Sequence, residues 1–529
     1  MLAFIREPCD ESAIRSAPAT APCSKRAGRW VLVATTLASS MAFIDSTVVN
    51  VALPALQATL KATIVDVQWV IEAYSLLLAA LLLVGGSLGD HYGRRRIFLL
   101  GVAVFALASA WCGCAFDITQ LIVARAVQGF GAALLVPGSL AIISSSFPES
   151  ERGRAIGSWS GFSAITTAIG PVLGGWLIEH VSWRAVFFIN VPIAVLVILI
   201  SVKFIPESSD KESAGLDWLG AIIGTIGLGA LVYGLIESSR LGLGDRSVIV
   251  VIVAAIFVLS VFLLVEARLS HPMLPLPLFR SRTFTGTNLL TFLLYAALGG
   301  TLFFLPLNLI QIQHYTPTAA GAALLPFILI MSLLSRWSGG LITVYGPKLP
   351  LIIGPMIVAA GYVLFILPGA GGSYWMTFFP AAVVLGLGMA ITVAPLTTTV
   401  MGSVSQNRVG VASGVNNAVA RTAGLLAIAV FGIVMLQIFK HGLDRQLLES
   451  KLPTSVIQSL ETQSTKLAAI AIPENLDLAT KQLIRRAIDE SFVAGFRSVM
   501  AIGAALAGAS GIIALTLIRT NRPYAAFST

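Results

Sequence analysis

Three ionisable residues lie inside long apolar stretches of the sequence, and their types point to proton chemistry. Asp45 and Glu72 each interrupt a run of about twenty mostly apolar residues, and Arg125 interrupts another. A carboxylate so placed must be neutral, paired or in contact with water, and it can bind a proton from one side and release it to the other. We therefore expect Asp45 and Glu72 to take part in proton coupling, with Arg125 as the counter-charge.

Each of these residues also has a structural interpretation. Asp45 could be a structural carboxylate fixed by a hydrogen bond. Glu72 could be a contact for a cation instead of a proton site, or an interfacial acid in outer water. Arg125 could be one half of a purely structural salt bridge.

The composition shows which elements must position these residues. Of 529 residues, 56% are hydrophobic and 11% are charged, which is about half the charged share of a soluble chain. This excludes soluble enzymes, disordered proteins and secreted disulfide scaffolds. The net charge of +9 could suggest nucleic acid, but membrane proteins gather Lys and Arg on their cytoplasmic side, and we expect no nucleic-acid partner.

Apolar stretches long enough to cross a bilayer need about 20 residues each. They predict an all-α polytopic membrane protein with fourteen transmembrane helices, at approximately 30–54, 67–88, 97–116, 119–143, 155–178, 185–205, 217–237, 247–265, 285–310, 318–341, 350–368, 374–400, 414–438 and 493–518. An even count puts both termini on one side. Lys and Arg concentrate in the segments that then lie inside, so we expect a multi-pass protein of the cell (cytoplasmic or inner) membrane with both termini cytoplasmic.

The spans repeat internally. Residues 86–95, GSLGDHYGRR, match residues 339–348, GGLITVYGPK, and spans four and twelve share a Gly-x-Gly pair before a proline. Spans 1–6 therefore correspond to spans 9–14, with spans 7 and 8 inserted between them. Duplicated halves around a central site are typical of secondary transporters.

The repeat predicts the division of the chain. The predicted parts are a cytoplasmic N-terminal tail 1–29, an N-terminal six-helix bundle 30–205, a linker 206–283 with two additional transmembrane helices, and a C-terminal six-helix bundle 284–529. The last part includes an outer loop at 440–491, in which an amphipathic run near 478–490 is typical of a helix. We interpret this loop as a cap or a poorly ordered loop.

Five motif-like stretches occur in register along the first half. They are the first-span string IDSTVVNVALP at 44–54, the loop after span two, a Leu-Arg-Gln-Gly pattern from Leu121 to Gly131, the glycines of span five, and the stretch from Trp183 to Pro192. Together they resemble the major facilitator superfamily, and within it the fourteen-span drug:proton antiporters of the QacA/EmrB type. The resemblance covers nearly the whole chain. It implies a coupling role for Arg125.

The loop after span two resembles the cytoplasmic gate motif of the superfamily, with Gly86, Asp90, Gly93, Arg94, Arg95 and Arg96. The resemblance implies that the aspartate faces a helix N-terminus of the other half, here span thirteen near Gly410, by charge–dipole attraction. The alternative is that the arginines only hold the loop inside the cell.

Span five resembles the antiporter motif of the family, through Gly157, Gly161, Gly170, Pro171, Gly174 and Gly175. It departs from the motif at Thr166, where the family prefers glycine. The alternative interpretation is ordinary close packing of helices in a membrane. Four further residues are candidates for a polar cavity face, namely Asn50, Gln128, Asn417 and Arg421.

Acidic residues are unevenly distributed. Between Glu266 and Asp444 the sequence has no Asp or Glu. If protons drive the protein through carboxylates, they must therefore pass through the first half. The second half can offer apolar, aromatic, amide and hydroxyl contacts, which suit bulky amphipathic compounds better than sugars.

These observations predict a secondary active transporter, not an enzyme. We expect it to export hydrophobic or amphipathic compounds in exchange for protons by alternating access, without a cofactor or a metal. The sequence has no GxxxxGK[ST] phosphate loop, so we expect no drive by ATP. The alternatives are a proton-coupled symporter, or a non-transporting receptor or lipid-handling protein on the same fold.

Overall fold

A computed structural model of the chain describes residues 25–209, 217–242, 244–269, 272–404, 409–450 and 452–518. Most of the predicted tail 1–29 and the start of span thirteen near Gly410 lie outside these ranges or have undescribed side chains. The described residues are almost entirely helical and contain no β-strand.

Fourteen long helices account for most of the described chain, and each coincides with one predicted span. They are α1 (Lys25–Leu60), α2 (Ile64–Tyr92), α3 (Arg94–Cys114), α4 (Ile118–Ser146), α5 (Glu149–His180), α6 (Asn190–Phe204), α7 (Trp218–Leu241), α8 (Arg246–Glu266), α9 (Arg282–Leu307), α10 (Leu325–Gly339), α11 (Lys348–Ile366), α12 (Phe378–Gly402), α13 (Val409–Glu449) and α14 (Leu478–Leu517).

Short helical segments join or extend several of these helices. They are the α-helices Ala185–Phe188, Pro317–Ala322, Leu341–Tyr345 and Thr454–Glu461, the 3₁₀ segments Leu276–Arg280 and Ser464–Ala469, and the π-helical turn Asn308–Ile312. The π turn directly follows α9, two residues after its internal Pro306. Single π turns of this kind change the direction of the following side chains.

Thirteen helices of the described chain are long and apolar enough to cross a membrane. The helix α5 coincides with the predicted fifth span but is not among the thirteen. The predicted count of fourteen is therefore consistent with the structure. Prolines inside α1, α4, α5, α9, α11 and α12 are tolerated because neighbouring helices and local adjustments satisfy the freed carbonyls in a membrane protein.

Polar residues at the helix ends explain where several helices begin. The carboxylate of Asp117 accepts a hydrogen bond from the backbone N–H of Gln120 at the start of α4, and Ser281 does the same at α9. Asp477 caps α14 by accepting from the N–H of Thr480, and these hydrogen bonds lower the pKa of the Asp477 carboxyl. Such caps satisfy N–H groups that have no partner within the helix.

The chain forms two compact units. The first contains Met1–Val49, Val70–Ile226 and Val261–Met273, and the second contains Asn50–Trp69, Gly227–Ser260 and Leu274–Thr529, so far as these ranges are described. The helices α1 and α2 thus belong mainly to the first unit, but their adjoining ends belong to the second. The division at 30–205, 206–283 and 284–529 stays a prediction.

The core of the first unit lies around α3 and α4. Glycines let these two helices approach closely, because a Cβ on Gly131 would lie 2.6 Å from the backbone nitrogen of Phe105. Large side chains fill the remaining space, among them Phe98, Phe105, Tyr74 and Leu135. This packing fixes the helices that carry the ionisable residues.

The second unit includes a folded region beyond the apolar parts of α13 and α14. Leu443 and Leu447 of α13 are fully buried, as are Leu460, Ile484 and Ile488. The predicted amphipathic run near 478–490 is the first part of α14. The interpretation of 440–491 as a poorly ordered loop is therefore wrong for its described residues, because they are largely helical and these apolar side chains are buried.

Candidate functional site

Asp45 and Arg125 form a buried ion pair in the first unit. Asp45 lies in the middle of α1 and Arg125 in the first half of α4, and each is only 1% exposed. A guanidinium nitrogen of Arg125 donates to Oδ2 of Asp45. The counter-charge predicted for Asp45 is thus in contact with it.

Amide and hydroxyl groups complete the surroundings of Asp45. Nε2 of Gln128 donates to Oδ1 of Asp45 at 2.9 Å, and Nδ2 of Asn190 lies 3.4 Å from the same oxygen. Both amides also donate to Oγ of Ser109, at 2.8 and 2.9 Å. We call Asp45, Arg125, Gln128, Ser109 and Asn190 the acid network; every member is buried.

Arg125 has partners besides the carboxylate. Its Nε donates to the backbone oxygen of Val70 at 3.0 Å, and its Nη1 donates to Oε1 of Gln128 at 2.7 Å. The guanidinium carbon lies 4.2 Å from the centre of the Tyr74 ring, a distance typical of a cation–π contact. The cation therefore stays well held if the charge of Asp45 is removed.

The path of α2 past α4 depends on a glycine next to the network. A Cβ on Gly129 would collide with the backbone oxygen of Tyr74. Gly129 therefore allows α2 to lie against α4, which brings Val70 and Tyr74 to Arg125. In this motif Gln128 thus donates a hydrogen bond to Asp45, and Gly129 allows α2 to lie close to α4.

Glu72 is buried in the first unit without a polar partner. Its side chain has no exposed surface, and neither carboxyl oxygen has a hydrogen-bond partner within the described residues. The alternative of an interfacial acid in outer water is therefore wrong. A buried and unpaired carboxylate is strongly unfavourable, so this geometry favours the neutral acid.

The loop between α2 and α3 is held by ionic contacts. Oδ1 of Asp90 accepts from Nε of Arg94 at 2.8 Å. Gly93 has a φ of 108°, a conformation that side chains with a Cβ rarely adopt, and a Cβ there would lie 2.7 Å from the Glu207 carboxylate. Glu207 accepts from the N–H of Arg95 at 3.1 Å and thus occupies the positive end of the α3 dipole.

Comparison with known proteins identifies the family. The sequence model of the Major Facilitator Superfamily matches residues 35–428. This chain belongs to the major facilitator superfamily. The multidrug resistance protein Stp of Mycobacterium tuberculosis (strain CDC 1551 / Oshkosh) is 34% identical over 410 residues, covering 76% of this chain and 75% of that protein. The tetracenomycin C resistance and export protein of Streptomyces glaucescens is 34% identical over 429 residues, covering 79% of this chain and 78% of that protein.

Solved structures support the same fold. A bacterial homolog of the human lysosomal transporter Spinster, in an inward-facing and unoccupied conformation, gives a TM-score of 0.64 at 18% identity, covering 93% of this chain and 98% of that one. At this identity the likeness shows the fold alone. The chain is thus a multi-pass membrane protein of the major facilitator superfamily.

The antiporter-type glycines of this superfamily member bring α5 against α1. A Cβ on Gly170 would collide with Oγ1 of Thr47, and one on Gly174 would lie 2.5 Å from a methyl carbon of Val48. Both contacts lie within one turn of Asp45. Gly157 has open space around its Cα, so the same argument does not apply to it. Gly175 is buried, Pro171 lies inside α5, and the surroundings of Gly161 are not described.

The four candidates for a polar cavity face are divided between the two units, and their common role stays a prediction. Gln128 belongs to the first unit and is fully buried inside the acid network. Asn50, Asn417 and Arg421 belong to the second unit. Nδ2 of Asn417 donates to the backbone oxygen of Ser413 at 3.1 Å within α13.

The second unit contains an apolar cavity of about 670 Å³. Its lining includes Tyr315, Leu329, Tyr374, Trp375 and Phe379, and its volume is typical of a site for a drug-sized compound. The Tyr374 hydroxyl donates to the backbone oxygen of Ala323 at 2.9 Å.

Sequence reasoning missed three polar residues of these sites. Asn190 of α6 reaches Asp45, and Ser109 of α3 accepts hydrogen bonds from Gln128 and Asn190. Glu207 reaches the start of α3 from the segment after α6. Asn190 lies in a motif-like stretch of the sequence, but its partners Asp45 and Ser109 are on α1 and α3, and only the packing of helices brings them together. Nothing in the sequence indicates a role for Ser109 except that it is a polar residue in an otherwise apolar span.

Proposed function

We propose that this chain exports hydrophobic or amphipathic compounds across the cell membrane in exchange for protons, by alternating access. The observation that carries the proposal is the buried acid network, in which one carboxylate is paired with a cation that keeps other partners. Relatives named for multidrug resistance and for tetracenomycin C resistance and export support the direction and the substrate class.

Protons move through Asp45 in this proposal. When Asp45 is charged, Arg125 neutralises it; when Asp45 binds a proton, Arg125 remains on Gln128, the Val70 carbonyl and the Tyr74 ring. The two protonation states therefore differ in how tightly α1 is tied to α4. A proton taken up from outside and released inside changes this attachment once in each cycle.

Glu72 is a second proton site in this proposal, and it is in its neutral form in the described conformation. The energy source is the proton gradient alone, without ATP, cofactor or metal. Both termini face the cytoplasm, as the distribution of Lys and Arg predicts. The chain is a transporter and not an enzyme.

The test is a vesicle assay with an imposed pH gradient. Adding an exported compound should collapse the gradient in vesicles that contain the natural protein. Asp45→Asn should abolish this collapse, because an amide keeps the size and hydrogen bonding of the acid but cannot exchange a proton near neutral pH. Compound binding to Asp45→Asn should persist.

The matched control is Asp66→Asn, which changes an acid at the start of α2. Asp66 accepts from the N–H and hydroxyl of Thr63, both at 2.7 Å, and therefore acts as a local cap. This variant should keep the collapse of the gradient. Export by Asp45→Asn against a gradient, with protons as the only energy source, would refute the proposal. Proton and compound moving in the same direction would indicate a symporter, and no proton movement would indicate a receptor or lipid-handling protein.

A further inference from the structure

The C-terminal end of α1 and the N-terminal end of α2, which follow one another in the sequence, are part of the second unit. Residues Asn50–Trp69 pack with the unit that contains α9 to α14, whereas the rest of α1 and α2 belongs to the first unit. These ends lie on the outer side in the predicted orientation. Specific contacts must therefore hold them to the second unit.

Gln68 of α2 makes one such contact with α13. Its side chain has no exposed surface, and its Nε2 donates to the backbone oxygen of Ile428 at 2.9 Å. This carbonyl lies four residues before Gly432, in the middle of a continuous helix. A Cβ on Gly432 would collide with Nε2 of Gln68. The glycine thus provides the space in which the glutamine reaches the helix backbone.

A second contact joins α1 to the π turn after α9. Nε2 of Gln311 donates to Oε1 of Gln57 at 2.8 Å, and Gln57 is 3% exposed. The turn itself is held by α14, because Nη2 of Arg485 donates to the backbone oxygen of Gln311 at 2.6 Å. Arg485 is in turn paired with Asp489 at 3.1 Å.

These contacts have the chemistry of a reversible attachment. They use amides, so breaking them exposes no buried charge, and each hydrogen bond has a small net contribution. Three amide atoms, namely Nε2 of Gln57, Oε1 of Gln68 and Oε1 of Gln311, have no hydrogen-bond partner within the described residues. An attachment in which half of the polar atoms are unsatisfied is easier to open than a complete network.

We propose that Gln57, Gln68, Gln311 and Gly432 form a latch that closes the outer side and opens once in each transport cycle. We call these four residues the glutamine latch. This inference rests on the proposed function, since only alternating access requires the outer ends of α1 and α2 to separate from α9 and α13. Gln68 and Gly432 are positioning residues of the transport cycle and need not touch the exported compound.

The test measures access to the latch from outside. The reporter is Gln57→Cys, in a chain whose four natural cysteines are replaced by serine. It is labelled in whole cells with a membrane-impermeant maleimide. Adding Gly432→Ala should raise the labelling rate about two- to tenfold, the change expected from losing one hydrogen bond. The reporter change is common to all variants, so the comparison isolates the contact between Gln68 and Gly432.

Two controls make the result specific. Gly424→Ala changes another glycine of α13, where a Cβ meets no other atom within 4 Å, and it should leave the labelling rate unchanged. Gln68→Ala should itself raise the rate, and adding Gly432→Ala to it should have no further effect, because the collision partner is gone. An unchanged rate with Gly432→Ala, or an equal increase with and without Gln68, would overturn the latch.

The labelling needs neither an exported compound nor a proton gradient. A failed export assay with the expected labelling pattern would therefore refute the proposed function, and would leave these contacts as a closure of the outer side without a part in transport. Normal export by the natural protein together with unresponsive labelling would refute the latch alone.

Discussion

The two oxygens of Asp45 have different partners. Oδ2 is paired with Arg125, whereas Oδ1 accepts from Gln128 and lies near Asn190. A proton on Oδ2 would weaken only the contact with Arg125. The structural and functional interpretations of this aspartate are thus compatible, because the same hydrogen bonds that fix the side chain leave one oxygen for proton exchange.

Arg125→Ala should destabilise the protein more than any other single change in the acid network. It leaves the Asp45 carboxylate buried without a cation, which typically costs about 3–5 kcal/mol. Adding Asp45→Asn should restore much of the loss, because the double variant buries no charge. Thermal unfolding in detergent measures both effects. Equal unfolding midpoints for the single and double variants would show that the two residues are not energetically coupled.

Glu72→Gln should separate stability from transport. The amide is neutral at every pH, so the unfolding midpoint should stay the same or rise, while proton-coupled export should fall or its preference among cationic compounds should change. Asp66→Asn should do the reverse, because it weakens the cap on Thr63 but removes no proton site. Unfolding and export assays on both variants give the comparison. Full export by Glu72→Gln would exclude a role in coupling.

At the scale of elements, the loop between α2 and α3 combines a glycine of positive φ with an ion pair. The side chains of Asp90 and Arg94 are 34% and 20% exposed, so their direct contribution to stability is within about 1 kcal/mol. Gly93 and Glu207 fix the direction in which α3 begins. Gly93 and Glu207 thus position the loop, while Asp90 is paired with Arg94 at the surface.

Asp90→Asn should strongly reduce export while leaving membrane insertion and abundance near normal. The amide loses the negative charge that a helix N-terminus would attract. Export per molecule is measured with the amount of protein determined by immunoblot. Glu237→Gln is the control, because it breaks another short-range ion pair, with Arg240 at 2.8 Å on α7. Unchanged export at equal protein level would show that the motif in the loop after α2 serves only to keep that loop on the cytoplasmic side.

The positions of the helices could be predicted because a membrane-spanning helix needs about 20 consecutive, mostly apolar residues, which can be found in the sequence without knowing the fold. All fourteen predicted spans coincide with helices, and their ends differ mainly where polar turns extend beyond the apolar stretch, as at Glu449 and Leu478. The contact between Asp45 and Arg125 could also be predicted from the sequence, because a charged residue inside a membrane needs a partner of opposite charge. Ser109, Asn190 and Glu207 could not, since their contacts depend on which helices pack together.

At the scale of the whole chain, the chemistry is divided along the sequence. The described carboxylates of the acid network and Glu72 belong to the first unit, while residues 267–443 contain no acid. The apolar cavity lined by Tyr374 and Trp375 belongs to the second unit. Under the proposed function, the proton site and the apolar cavity therefore lie in different units of the chain.

Arg421→Ala should leave the pH dependence of export unchanged, whatever it does to the rate. Arg421 lies within residues 267–443, a part of the sequence that contains no Asp or Glu. Export is measured across a range of external pH, and the midpoint is compared with that of the natural protein. A shifted midpoint would place a proton-linked group next to Arg421 and would contradict the division.

The lengths of α13 and α14 have a practical consequence for imaging. These helices have 41 and 40 residues, or about 60 Å each, against a hydrocarbon core of about 30 Å. In both helices the parts outside the most apolar stretch also carry buried side chains, among them Leu443, Leu447, Ile484 and Ile488. An antibody fragment raised against residues 440–491 would give single-particle images a marker for alignment. Its binding to intact cells would also reveal which face of the membrane carries the marker.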